Sequence, residues 1–294
     1  MYRLYMKINK KLLTLSLTVI IILLIFVLYV FFNIKFRSSK SVSCNKDLLT
    51  IHYIDVGQGD SILVQFNEKN LLIDAGCPNR KVYNYLKKCN IKKINYVIAT
   101  HPHDDHIGGM TYIINRFPIN NFLAPKAINN TPSFKKMITD LRKNNLKINL
   151  TKAGSYIPFD SKLSCFIVAP NNCNYKNLNN YSIVLRITYN KTSFLFCGDA
   201  ENLSEEEILN SGYNITSDVL KLGHHGSKTS TSDSFLNEVN PKVAIISCGK
   251  GNDYGHPHKE TLKKLKNKNI TTYRTNINGT IILESNGTKI IKRQ

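Results

Sequence analysis

The chain reads as an α/β protein, its sheets covered by helices, preceded by one apolar transmembrane helix. Two observations predict this. Leu12 to Phe32 reads LLTLSLTVIIILLIFVLYVFF without a charge, and after it short β-rich apolar runs alternate with helical patterns. At ~1.5 Å per residue the first run spans roughly 30 Å, the thickness of a bilayer core. A cleaved signal peptide is the alternative, but it usually has about 7–15 apolar residues and a small-x-small site close behind. Neither holds here.

The chain therefore divides into a basic tail at 1–11, a membrane anchor at 12–33, a polar linker at 34–48 and one continuous domain at 49–294. Arg3, Lys7, Lys10 and Lys11 precede the anchor, whereas Lys35, Arg37 and Lys40 follow it. That small excess favours a cytoplasmic N-terminus, an extracellular domain and membrane lipid as one partner. The 294 residues, 42% of them hydrophobic, suffice for one large core or two modest ones. Seven cysteines show neither even pairing nor CxxC spacing, so packing is their expected role. A net charge of +20 suits a polyanion such as DNA, anionic lipid or a teichoic-type polymer. The bias toward Asn, Lys and Ile throughout would equally spread lysines over a solvated surface.

Within the domain the strand candidates are Leu49–Val56, Ser61–Phe66, Leu71–Asp74, Ile94–Ala99, Leu163–Val168, Tyr181–Thr188, Ser193–Cys197, Asp218–Leu222 and Val243–Ser247. Thr131 and Pro132 open a helix toward Asn145, as N-cap and first helical residue. Ser204 and Glu207 have the spacing of a capping box, with Gly212 ending that helix. Lys259 to Lys268 is a third, basic helix.

Four loops after predicted strands carry the chemistry. In Thr100-His101-Pro102-His103-Asp104-Asp105-His106, imidazoles and carboxylates of the kind that bind Zn, Mn or Fe crowd together. His101 and His103 can face one ion while Asp105 and His106 turn toward a second; Asp104 reads as a turn residue. Asp199, beyond Gly198 at a strand end, can reach between two ions. Gly-Asp alone is a weak signal, more often a turn. His224 and His225 follow another strand, and one of them can complete the second ion's shell. Adjacent side chains in an extended segment point to opposite sides, and His224 is the favoured ligand. In the last loop His256 is a candidate proton donor, with a Pro-containing turn as the plain alternative. His258 reads as an N-cap or surface residue, and His52 as a strand histidine.

THPHDDHIGG, a later Gly-Asp and a late His pair together resemble the metallo-β-lactamase superfamily. IDVGQGDSILV, LLIDAG, NNYSIVL, FCGDAE, LKLGHHGS and YGHPH narrow the resemblance to the C-terminal hydrolase domain of the ComEC/Rec2 competence proteins, from about Leu49 to Leu283. The resemblance implies an αββα sandwich with two divalent ions, Mn or Zn, along one sheet edge. It places Asp55, Gly57, Gly59 and Asp60 in a turn near the site and Asp74 as a support behind it. Asn180, Ser182 and Ser227 join the residues around the ions or substrate. Two departures stand out. The multi-helix channel region of those proteins has no counterpart in this sequence, so DNA transport does not carry over. Nor does any His occur between His106 and His224, where many superfamily members have a third ligand for the first ion. Asn180 and Ser182 sit about there, and an oxygen-richer set shifts preference toward Mn²⁺.

Two ions ~3.5–4 Å apart activate water at neutral pH and stabilise attacking and leaving oxygens together. A phosphodiester fits best, with DNA as the favoured substrate, Asp105 and His256 as catalytic groups and Asp199 as a bridge that true β-lactamases lack. The alternatives are hydrolysis of another ester, thioester, lactone or envelope phosphodiester, a metal-bearing binding module, or an auxiliary DNA-binding part of uptake machinery.

Overall fold

The computed structural model describes residues 21–29 and 47–293. Residues 21–29 form a helix, α1, whose apolar side chains are exposed. Among the described residues no helix is long and apolar enough to cross a membrane. The remainder of the expected anchor and most of the linker lie outside the described residues.

Lys46–Gln294 is a separate compact unit. Its strands are β1 (Leu49–Tyr53), β2 (Ile62–Phe66), β3 (Lys69–Ile73), β4 (Ile94–Ile98), β5 (Ile119–Ala124), β6 (Ile148–Leu150), β7 (Leu163–Ala169), β8 (Val184–Tyr189), β9 (Thr192–Phe196), β10 (Val219–Lys221), β11 (Val243–Ile246), β12 (Thr271–Arg274), β13 (Ile281–Ser285) and β14 (Ile290–Lys292). The helices among them are α2 (Lys81–Lys88), α3 (Asp104–Ile107), α4 (Met110–Ile114), α5 (Pro132–Lys143), α6 (Asn202–Asn210), α7 (Asp233–Val239), α8 (Lys259–Asn267) and α9 (Thr275–Asn278). One sheet has the order β14-β13-β1-β2-β3-β4-β5-β6 and the other β12-β11-β10-β9-β8-β7.

Side-chain alternation builds four layers from these strands. Leu49, Ile51 and Tyr53 of β1 meet Phe194 and Phe196 of β9 in an apolar core shared by both sheets. The opposite face of the first sheet packs Leu63, Leu72 and Val97 on Val82, Met110 and Leu141 from α2, α4 and α5. The outer face of the second packs Leu195 and Leu220 on Ile208, Leu236 and Leu265 from α6, α7 and α8. Helix, sheet, sheet, helix is the expected sandwich.

Every predicted strand is present, mostly trimmed at its ends; β8 starts at Val184 because Leu178–Tyr181 forms a 3-10 turn. β5, β6 and β12 to β14 were not predicted. The Thr131 hydroxyl caps α5 through the Phe134 N–H, as expected. The capping box does not form. Helix α6 begins earlier, at Asn202, whose N–H is taken by the Thr229 carbonyl at 2.9 Å. Ser204 therefore lies inside the first turn rather than at its cap; its hydroxyl is buried without a partner, and Glu207 accepts the Tyr175 hydroxyl instead. None of the described cysteines is in a disulfide, and Cys44 lies outside the described residues.

His52 lies on the helix-facing side of β1, with Nδ1 2.8 Å from the Tyr85 hydroxyl. Burial, helped by Arg293, pushes it down to about 4 from an ordinary 6.5. Between those values the unfolded chain holds the extra proton. The resulting stability is therefore full above pH ~6.5 and is lost as pH falls toward ~4, by about 3 kcal/mol in all. Urea denaturation at pH 7 and pH 4.5 should show His52→Leu losing less stability on acidification than wild type. Equal losses would mean that His52 is not held neutral by the fold.

Candidate metal centre

Strands β3 and β4 run parallel in the first sheet, and β9, β10 and β11 run parallel in the second. Their C-terminal ends therefore deliver Asp74, the His101–His106 loop, Asp199 and His225 to one edge of the sandwich. Backbone contacts fix the metal loop there. The Asp60 and Ala75 N–H groups donate to the carbonyls of Asp105 and His106 at 3.1 and 2.7 Å. Gly59 permits the first of these: its φ is +120°, and a Cβ would stand 2.2 Å from the Asp105 carbonyl oxygen.

Asp74 is wholly buried behind the loop. Its carboxylate accepts the Thr100 N–H at 2.8 Å, the Thr100 hydroxyl at 2.6 Å and His106 Nδ1–H at 2.7 Å. That tautomer leaves His106 Nε2 as a bare lone pair, 3.2 Å from Asp199 Oδ1. Neither atom has a hydrogen-bond partner, and both are buried. Two acceptors so placed share a proton or a metal ion between them. His225 repeats the design: Nδ1 faces the Ser247 carbonyl at 3.0 Å, while Nε2 lies 3.1 Å from Asp105 Oδ2 and 3.4 Å from Asp199 Oδ2. Asp105, His106, Asp199 and His225 thus fit one divalent ion, each His oriented by an oxygen behind it.

A second convergence lies beside the first. His101 Nε2 is 3.0 Å from His103 Nδ1 and 3.8 Å from Asp199 Oδ2. The hydroxyls of Thr100 and Ser182 contact His101 Nδ1 at 3.2 and 3.3 Å. His101, His103 and Asp199 form the second donor set, and Asp199 stands between the two. Its own N–H donates to Ser182 Oγ at 3.0 Å.

The electrostatics agree. Burial opposes charge on His106 and His225, yet surrounding carboxylates, Asp199 foremost, push both well above the ordinary value. Burial likewise opposes charge on Asp199 and Asp105, but His106 and His225 hold both carboxyls low. Burial, with His106 nearby, pushes His101 well down, so its imidazole is neutral and fit to bind. An edge that attracts protons this strongly attracts divalent cations.

Of the two late histidines, His225 rather than the favoured His224 lies nearer Asp105 and Asp199: its Nε2 is 3.1 and 3.4 Å from their oxygens, whereas His224 Nε2 is 4.0 Å from Asp199 Oδ2. Residues 223–226 form a 3-10 turn in which both histidines have positive φ, 46° and 53°. The rings diverge, and His224 turns to Glu201 at 3.0 Å. Asp55 is an exposed turn residue whose carboxylate accepts the Gly57 N–H. Ser227 braces its own loop through Thr229 at 3.0 Å. Asn180 accepts the Glu201 N–H at 3.3 Å, and Asn179, which the sequence did not single out, donates to Glu201 Oε1 at 2.9 Å. Asp60 lies with His106, Asp199 and His225, their donor atoms all within 4.8 Å. Lys221 was also missed; it is buried against Asp60 at 2.5 Å. His256 stands beside His224 and His225, ring centres 5.2 and 6.1 Å away. Burial and those neighbours push it down to about 4. At neutral pH it offers an N–H rather than an ionised proton donor. His258 precedes α8 and accepts the Lys228 N–H at 2.9 Å.

If Asp74 sets the tautomer of His106, Asp74→Asn should weaken one ion about 10–100-fold. Competition with a chromophoric chelator measures this, and unchanged affinity for both ions would refute the role.

Residues 54–250 match the Metallo-beta-lactamase superfamily, a stretch that holds every carboxylate and imidazole of both donor sets. The chain is 32% identical over 251 residues to ComE operon protein 3 of Bacillus subtilis, covering 79% of this chain and 32% of that protein. It is 30% identical over 244 residues to Recombination protein 2 of Haemophilus influenzae, covering 81% and 29%. The chain thus spans about a third of the length of these relatives. Igni18, a metallo hydrolase from Ignicoccus hospitalis, superposes with a TM-score of 0.54 at 16% identity over 79% of this chain and 98% of that one, a likeness of fold alone. With its sandwich, its His-Asp edge and a matching profile over most of the domain, the chain belongs to the metallo-β-lactamase superfamily.

Proposed function

We propose that the chain is a metal-dependent phosphodiesterase that acts on DNA at a membrane surface. One observation carries this: Asp199 stands between an imidazole pair, His101 and His103, and the Asp105, His106 and His225 group. When bound, two divalent ions supply an activated water and stabilise charge on a phosphoryl group. The protein's part is to hold both donor sets at a fixed spacing. Asp105 is the most open of these carboxylates, 27% exposed where Asp199 is 3%, and is the one that water on the solvent side reaches. His256 presents its N–H to a phosphodiester oxygen. Mn²⁺ is the favoured ion, because the His101 set carries two imidazoles and the oxygen of Asp199 without a third nitrogen.

DNA is supported by the net charge of +20 and by the name of Recombination protein 2, which describes that relative. Asp199→Ala should reduce cleavage of single- or double-stranded DNA to background while leaving DNA binding that weakens log-linearly with salt. Metal-loaded wild type that binds DNA but cuts only a lactone or thioester would replace this reading with that of another hydrolase.

The uncharged run at 12–33 and the exposed apolar faces of α1 support an anchor. The domain then lies outside the cytoplasm. Protease added to intact protoplasts should digest it; protection until lysis would reverse the orientation.

A further inference from the structure

Lys221 closes β10 immediately before the His225 turn, is wholly buried, and has no part in the reaction proposed above. A lysine is almost never enclosed without a partner. Its ammonium lies 2.5 Å from Asp60 Oδ2 and donates to the Leu222 carbonyl at 2.8 Å. Asp60 is further held by its backbone: its N–H donates to the Asp105 carbonyl at 3.1 Å, and its carbonyl accepts the Gly76 N–H at 2.9 Å.

By distance alone Asp60 could pass for another metal ligand, since its carboxylate lies within 4.8 Å of the His106, Asp199 and His225 donors. Two facts argue otherwise. One oxygen is tied to a buried ammonium, which fixes the carboxylate in place. The other, Oδ1, makes no hydrogen bond and lies 3.3 Å from His225 Nδ1, the ring nitrogen turned away from Asp105 and Asp199, whose proton goes to the Ser247 carbonyl at 3.0 Å. Asp60 therefore stands behind the imidazole, as Asp74 stands behind His106.

We propose that Lys221 and Asp60 are a positioning pair for the metal centre: the ammonium pins Asp60, whose charge beside Nδ1 favours the ring orientation in which Nδ1–H meets the Ser247 carbonyl and Nε2 faces Asp105 and Asp199. The pair adds one negative and one positive charge, so it orients the ligand without changing the net charge of the edge. This rests on the two-ion reading of the site.

The test is ion stoichiometry and affinity, measured by elemental analysis and chelator competition with Mn²⁺ and Zn²⁺ on the whole chain. Asp60→Asn/Lys221→Met removes both charges together, so no buried ion is stranded. It should keep one ion at wild-type affinity and bind the other about 10–100-fold more weakly. Added to His225→Ala, the same double change should weaken that ion no further, because the pair acts through His225. Full affinity at both sites, equal weakening of both, or an additive loss on top of His225→Ala would each overturn the proposal. If the double variant does not fold, Asp60→Asn alone, which leaves an amide oxygen for the ammonium, is judged by the same outcomes. Wild type that binds fewer than two ions would sink the two-ion reading itself, and the pair's role with it.

Discussion

Four carboxylates, those of Asp60, Asp74, Asp105 and Asp199, meet at one sheet edge, and three of them are almost wholly buried. Such a gathering is unstable without countercharge, because each ion taken from water loses hydration that only a close partner restores. Every distinctive feature of the edge answers that constraint. Lys221 neutralises one carboxylate. Thr100 and His106 supply Asp74 with hydrogen bonds. Asp105 and Asp199 are left facing ring nitrogens whose lone pairs are also directed inward, and that remainder is what divalent cations satisfy.

The geometry of the sheets explains why the charges can be assembled at all. Parallel strands end on the same side, so loops far apart in sequence arrive as neighbours. The strands pack mostly apolar side chains on both faces, and the residues of both donor sets lie in the turns beyond them.

Much of this was legible in the chain. The density of His and Asp after an apolar strand marked His101, His103, Asp105 and His106, and Asp199 gained weight from that company. The preference for His224 over His225 assumed an extended segment, whereas the turn at 223–226 is 3-10 with left-handed histidines and brings His225 nearer Asp105 and Asp199. Lys221 was unreadable because a lysine in a strand suggests solvent; only its partner Asp60, 161 residues away by numbering (221 less 60), makes it a core residue. Strand β13 escaped for a related reason. Its pairing with β1 joins the two ends of the domain, and no local pattern announces so distant a partner. Glu207 shows the limit of local motifs, since its capping-box spacing gave way to a contact with Tyr175.

The donors are split between the halves of the sandwich: His101, His103, Asp105 and His106 follow β4 of the first sheet, whereas Asp199 and His225 follow β9 and β10 of the second. A cation gripped by both sets is a cross-link between the sheets, made without a covalent bond. It holds the two sheets in register from their edge, so binding and folding share one free energy. Asp199 belongs to both donor sets, so neither cross-link can close during synthesis until Asp199 has emerged, and the set that includes His225 closes later still.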